Sequence, residues 1–233
     1  MIYQHRHVVV RKGRLAARHE AFQTEAMAAF DAHGSALVGA WETVIGPEAM
    51  CAVWQLRQFD SLSAWEAHHN RLREDSALGA RLGARLNPYN DFVDTALLVL
   101  AEGSPPLPDA WPSFDEVRGE PRGYVEQRLL YFRPDTSGPH HDFYFSKLVP
   151  ALRREGVELI ALLDTLIGPG TTNAGSHRSV ELRRFEDLRA YQAWREAQEK
   201  DEALRRLVNV EWLAHVERVE SMLLRPLDYS RIR

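Results

Sequence analysis

The chain has 233 residues, 45% of them hydrophobic, a formal net charge of −4 at pH 7 and a pI of about 6.2. That length suffices to bury a core in one or two domains, and the charge argues against nucleic acid as a partner. The lone Cys51 excludes an intramolecular disulfide and a cysteine-based zinc site.

Tyr3 to Val10 is β-branched and aromatic enough for a strand, and residues 14–32 then place Leu15, Phe22, Ala26, Ala29 and Phe30 at helical spacing. No basic and apolar leader precedes that strand, and no apolar run approaches the roughly 20 residues that span a bilayer. A cytoplasmic protein without membrane contact is therefore expected. Residues 35–45 and 50–59 read as two strands joined by a Gly-Pro turn. Asp60 and Ser61 can cap a helix with Leu62, Trp65 and Leu72 on one side, and Asp75 can cap another that runs to Leu86. Residues 91–101 close this half as a strand.

Pro105, Pro106, Pro108, Pro112 and Pro121 then break the pattern. Proline removes ladder donors and restricts its neighbours, so 102–122 reads as an extended linker, held to the surface by Trp111 and Phe114. Beyond it the same order returns: a strand over 124–132, a helix from about Pro139 to Glu155, strands over 157–167 and 179–185, helices from Asp187 and Asp201, and a strand over 216–227. The predicted organisation is two domains, 1–101 and 123–233, each βαββαβ.

The two halves match residue for residue in places. GSALVGAWETVIGP (34–47) aligns with GVELIALLDTLIGP (156–169) at an offset of 122, and FDSLSAWEAH (59–68) aligns with FEDLRAYQAW (185–194) at an offset of 126. A βαββαβ unit with right-handed crossovers makes a four-stranded antiparallel sheet with both helices on one face. Burying the other face against a covalent twin predicts an α+β fold: two tandem ferredoxin-like repeats whose antiparallel sheets face each other as an intramolecular α/β barrel.

Strand residues alternate sides, so Gln4 shares a face with Arg6 and Gln55 with Arg57, as do Glu126 with Arg128 and Glu181 with Arg183. On the third strands the opposite frame is apolar (Trp54 and Leu56; Val180 and Leu182), which assigns the polar frame to the helix-free, inter-repeat side. Two readings follow. Either these charges satisfy each other and fix the sheet contact, or the arginines line a cavity and grip an anionic or carbonyl-bearing ligand. Glu42 and Asp164, matched on the second strands, can join either arrangement.

IYQHRHVVVRKGRL resembles the opening of NIPSNAP-family domains, a Tyr-Glu-x-Arg strand followed by a glycine turn. LVGAWETVIGP and AVWQLRQFDSLSAWEAH are similar to that family's second strand and to its third strand with the following helix. YVEQRLLYF, LLDTLIGP and VELRRFEDLRAY carry the likeness into the second half. The resemblance implies the dimeric α/β-barrel superfamily, whose other members include cofactor-free monooxygenases, haem enzymes and isomerases of small ring compounds, all using the barrel interior. Eukaryotic relatives are associated with mitochondria. Gln4 stands where the family pattern has Glu.

Other features carry less. His5 and His7 share a strand face, a spacing that can bind metal, and His68–His69 and His140–His141 are adjacent; without a ligand set, no metal site is expected. Cys51 reads as a small buried residue. Residues 168–177 (GPGTTNAGSH) offer backbone amides to an anion but read more simply as a hairpin loop. The expected function is binding of a small molecule by Arg6, Arg57, Arg128 and Arg183, oriented by Glu126, Glu181, Gln4 and Gln55, without a cofactor. No catalytic residue is assignable; for proton transfer or cofactor-free oxidation, Glu126 or Glu181 would be the general base. The alternative is a non-catalytic interaction module with structural interior charges. A homodimer through exposed edges or helices is a further expectation.

Overall fold

The structure, a computed structural model, describes residues 1–117, 119, 123–133, 136–168 and 177–232. The side chain of Phe114 and most of the loop within 168–177 lie outside the described residues. Repeat 1 comprises β1 (Ile2–Val10), α1 (Leu15–Ala21), a π turn (Phe22–Ala26), α2 (Met27–Ala32), β2 (Ala36–Ile45), β3 (Ala52–Phe59), α3 (Leu62–Glu74), α4 (Ser76–Leu86) and β4 (Asn90–Leu100). A short α5 (Phe114–Val117) interrupts the linker. Repeat 2 follows with β5 (Tyr124–Phe132), α6 (Ser137–Phe143), a π turn (Tyr144–Leu148), α7 (Val149–Arg154), β6 (Glu158–Ile167), β7 (His177–Phe185), α8 (Leu188–Lys200), α9 (Glu202–Arg206), a π turn (Leu207–Trp212) and β8 (Val216–Pro226). The strands form one closed antiparallel barrel in the order β1-β3-β2-β8-β5-β7-β6-β4.

The predicted caps form as the sequence indicates. Ser61 Oγ accepts from the Ala64 amide at 3.1 Å, Asp75 from Leu78 at 2.9 Å, Asp187 from Ala190 at 2.7 Å and Asp201 from Ala203 and Leu204. Each satisfies helix N–H groups that have no intrahelical acceptor. The linker departs from its extended prediction because Ser113 and Glu116 make a capping box: the Ser113 amide donates to Glu116 Oε2 at 2.6 Å, and the Glu116 amide donates to Ser113 Oγ at 3.4 Å. Trp111 pins the linker by donating from Nε1 to Gln58 Oε1 at 2.7 Å.

The duplication extends to local irregularities. The register of β2 on β3 shifts between Leu37 and Gly39, and that of β6 on β7 between Leu159 and Ala161, which are matched positions. The π turns at Phe22–Ala26 and Tyr144–Leu148 are matched as well. Thr24 and Ser146, again matched, each donate a side-chain hydroxyl back to the carbonyl four residues earlier.

By contact density the chain groups as residues 1–97, 110–121 and 225–232 in one unit, and 98–109 and 122–224 in the other. The terminal segment 225–232 thus belongs with repeat 1, where Leu227 N donates to Ala40 O and Ile232 N to Val38 O, both at 2.9 Å. It seats Tyr229 in the core of Val8, Val10, Phe22, Ala26, Leu37 and Val53. Repeat 2 has its own core, centred on Leu130, Phe132, Tyr144, Leu148, Trp194 and Trp212.

Two expectations require correction. The polar frame of Gln4, Arg6, Gln55, Arg57, Glu126, Arg128, Glu181 and Arg183 lies beneath the helices of its own repeat, not on the helix-free face. Arg57 sits 3.9 Å from the Phe30 ring centroid and 5.8 Å from that of Phe22; Arg128 is 4.3 Å from Trp212 and Arg183 5.8 Å from Trp194. Aromatic rings on the helices accept the guanidinium faces, so a polar strand frame can pack there. The opposite frame holds Trp54, on which His5 and His7 stack at 5.1 and 4.0 Å. Secondly, Cys51 is partly exposed in the β2–β3 turn, its thiol donating to Glu48 O at 3.2 Å.

Candidate functional site

The eight predicted residues divide into two four-residue clusters, one per repeat. Antiparallel register sets Arg128 opposite Glu181 and Glu126 opposite Arg183 in repeat 2. In repeat 1 the same register sets Gln4 opposite Arg57 and Arg6 opposite Gln55. Cross-strand neighbours on one face lie close enough to pair.

In repeat 2 they do pair. Glu181 is fully buried and takes hydrogen bonds from Tyr144 Oη and Arg183 Nε, with Arg128 Nη1 3.4 Å from its other oxygen. Arg183 Nη1 lies 3.5 Å from Glu126. Burial alone would raise the Glu181 carboxyl, but Arg183, Arg128 and the Tyr144 hydroxyl together hold it below the usual carboxylate range. Tyr144 is correspondingly pushed well above the ordinary phenol value, by burial and then by the Glu181 charge. Two guanidinium groups thus face two carboxylates.

Repeat 1 has no such compensation. Gln4 and Gln55 replace the glutamates, Phe22 occupies the place of Tyr144, and Arg18 adds a third cation where repeat 2 has His140. Arg57 and Arg18 are 1% and 2% exposed. Arg57 Nη1 donates to Ser35 Oγ at 3.0 Å, yet its Nε and Nη2, with Nε and Nη1 of Arg18, have no hydrogen-bond partner among the described residues. Both amide atoms of buried Gln55 are likewise unpaired there. Burial, then the Arg18 charge, lowers Arg6 to about 10, and burial with Arg6 takes Arg57 well below its usual value. Glu42, matched to Asp164, joins neither cluster: Arg225 Nε holds it at 2.7 Å, while Asp164 takes the Ser179 hydroxyl.

A cleft of about 450 Å³ opens on repeat 2 with Arg128 in its lining. Arg195, Gln198 and Glu199 from α8, Arg205 from α9, and Asn209 and Trp212 from the following π turn surround it, with Ser221 of β8 beside Arg128. Arg128 is 8% exposed, and its Nε is unpaired among the described residues. Glu181 holds the guanidinium from one side, and the Trp212 ring stacks against it. With Arg128 paired to Glu181, Arg195 and Arg205 against Glu199 leave the cleft a net positive lining that attracts anions.

The profile of the family described as NIPSNAP matches residues 3–105 and 145–231. The chain belongs to the NIPSNAP family. No curated protein matches it. Among solved structures, an anthrone oxidase-like protein at 12% identity and TM-score 0.65 aligns with 97% of this NIPSNAP chain and 91% of its own. A mutant chlorite dismutase from Candidatus Nitrospira defluvii, in complex with cyanide, has 11% identity and TM-score 0.50, covering 97% and 90%. An uncharacterized NIPSNAP domain protein from Burkholderia xenovorans is 23% identical over 46% of this chain and 100% of its own, with TM-score 0.42. The two long alignments show a shared fold.

Sequence reasoning found the strand arginines of this NIPSNAP protein but missed Arg18, Arg195 and Arg205. The latter two read as ordinary charged helix surface; Arg18 had a signal, since it aligns with buried His140. One ring of each adjacent histidine pair is buried. His68 is buried and hydrogen-bonds His33 O at 2.9 Å, and His140 Nε2 accepts from Trp212 Nε1 at 2.9 Å. Among the described residues no group of three or more His, Cys, Asp or Glu could hold a metal ion, and no helix is long and apolar enough to cross a membrane.

Proposed function

We propose that this NIPSNAP protein binds a small anionic, carbonyl-bearing molecule in the repeat 2 cleft, with Arg128 at its floor and Arg195 and Arg205 at its rim. The observation that carries this reading is the position of Arg128: its Nε has no protein partner among the described residues, and it borders a cleft of about 450 Å³. Small-molecule sites commonly occupy roughly 300–1,000 Å³. A guanidinium held from behind by a carboxylate presents its free edge to a ligand carboxylate in a fixed orientation. Leu213 and Val219 add apolar surface to the same cleft.

The likeness in fold to an anthrone oxidase-like protein supports a carbonyl-bearing ring as the ligand class, with cofactor-free oxidation or isomerisation as the reaction class. Glu181 is engaged by three donors and serves in this reading to position Arg128, not to accept a proton. Calorimetric titration with 1-hydroxy-2-naphthoate, a planar hydroxy-carboxylate, tests the proposal. Arg205→Ala and Arg195→Ala are each expected to weaken binding about tenfold, the loss of one charge-assisted contact. Unchanged affinity in both variants would remove the cleft from consideration.

A further inference from the structure

We propose that the helix side of repeat 1 is a second, separate anion site, taking a compact oxyanion of the phosphate class between Arg18, Arg57 and Gln55, with Arg6 at its solvent side. Three guanidinium groups converge there from three elements, β1, α1 and β3. Among the described residues none of the three forms an ion pair within 4.0 Å. Of the nearby acids, Glu42 is held by Arg225, and Asp31, 4.0 Å from Arg231, lends its charge to Arg57 without forming an ion pair with it. The Tyr229 phenol hydrogen-bonds Arg18 but, raised by burial, supplies no charge at neutral pH.

Stacking on Phe22 and Phe30 covers guanidinium faces but leaves Nε and Nη2 of Arg57 and Nε and Nη1 of Arg18 unanswered among the described residues. Buried donors without acceptors are costly, and buried like charges more so. Repeat 2 resolves the same geometry with Glu126 and Glu181, whereas repeat 1 carries amides at both places. A diffusible anion does what those carboxylates do. The phosphate class fits because one planar carboxylate satisfies one fork, while a tetrahedral oxyanion offers separate oxygens to donors arriving from three directions. Arg6, across the ladder from Gln55, is the one of the three arginines that is only partly buried.

The test uses the full chain and inorganic phosphate, followed by thermal unfolding against chloride and acetate at matched ionic strength. Near-saturating phosphate is expected to raise the Tm by roughly 5 °C, with acetate giving no comparable rise. Arg57→Met is expected to lose the phosphate response without falling below wild type in chloride, because it removes one of the clustered charges. Gln55→Glu restores the carboxylate found in repeat 2 and is expected to raise the Tm in chloride and abolish the response. Arg205→Ala keeps the response, which separates this site from the cleft of repeat 2. The proposal is overturned by a wild type indifferent to phosphate, by variants at Arg57 and Gln55 that retain the full response, or by its loss in Arg205→Ala.

Discussion

At the scale of single residues, the fate of each buried charge depends on what lies across the ladder from it. Glu181 stays ionised because two arginines and a phenol converge on it, while burial and the Glu181 charge keep Tyr144 neutral against the pull of those arginines. His140 shows the opposite case. Burial first, then the neighbouring His141 and His215, lower it to about 3, against the partial counteraction of Glu181 and Asp164. It is therefore neutral in the fold and accepts the Trp212 indole N–H, while the unfolded chain protonates it near its ordinary value of 6.5. Its contribution to stability is present above pH 6.5 and is lost as pH falls from 6.5 toward 3, amounting to roughly 2 kcal/mol at pH 5. His140→Gln keeps an acceptor for Trp212 but does not titrate; urea unfolding at pH 7 and pH 5 is expected to show a smaller drop in this variant than in wild type.

Among the elements, the paired irregularities matter most. Both first helices widen into a π turn at the residue that faces the arginines, Phe22 or Tyr144, and single π turns in helices are frequent at functional sites. A 3.6-residue period cannot reveal such a turn, although Thr24 and Ser146, bonding back to the preceding turn, mark its place. Beside the bulge in β2, glycine has a packing reason. A Cβ at Gly39 would lie 1.9 Å from Cη2 of buried Trp41, so glycine allows the indole to fold across the strand. Gly39→Ala is expected to cost about 1–3 kcal/mol by overpacking, read as a lowered urea midpoint. An unchanged midpoint would mean that Trp41 moves freely aside.

The order of elements along the chain, the caps and the acid-or-amide-x-Arg pairing were all legible in the sequence, because each rests on local spacing or on the repeat itself. The face was not. Gln4 and Arg6 share their frame with Val8 and Val10, which pack in the helix-side core, so the polar and apolar ends of one frame gave opposite signals. The aromatic rings at Phe22, Phe30, Trp194 and Trp212 decide the matter, and their positions opposite the arginines emerge only on folding. The cleft was illegible for a similar reason, since Arg195, Arg205 and Asn209 meet Arg128 only after α8, α9 and the π turn are in place.

For the molecule as a whole, duplication has kept one scaffold and divided its electrostatics. Repeat 2 balances its buried arginines with its own carboxylates, and repeat 1 keeps arginines beside amides. In repeat 2 the carboxylates hold Arg128 in place at the edge of the cleft, whereas in repeat 1 the amides leave guanidinium donors of Arg57 and Arg18 without partners among the described residues. The most direct test is a reciprocal exchange at one matched position, with both variants unfolded in urea under phosphate-free conditions. Glu181→Gln is expected to lose about 3–5 kcal/mol, because it leaves buried arginines without their counter-charge, whereas Gln55→Glu is expected to lose nothing and to gain stability. Equal destabilisation by both exchanges, or a silent Glu181→Gln, would contradict the division.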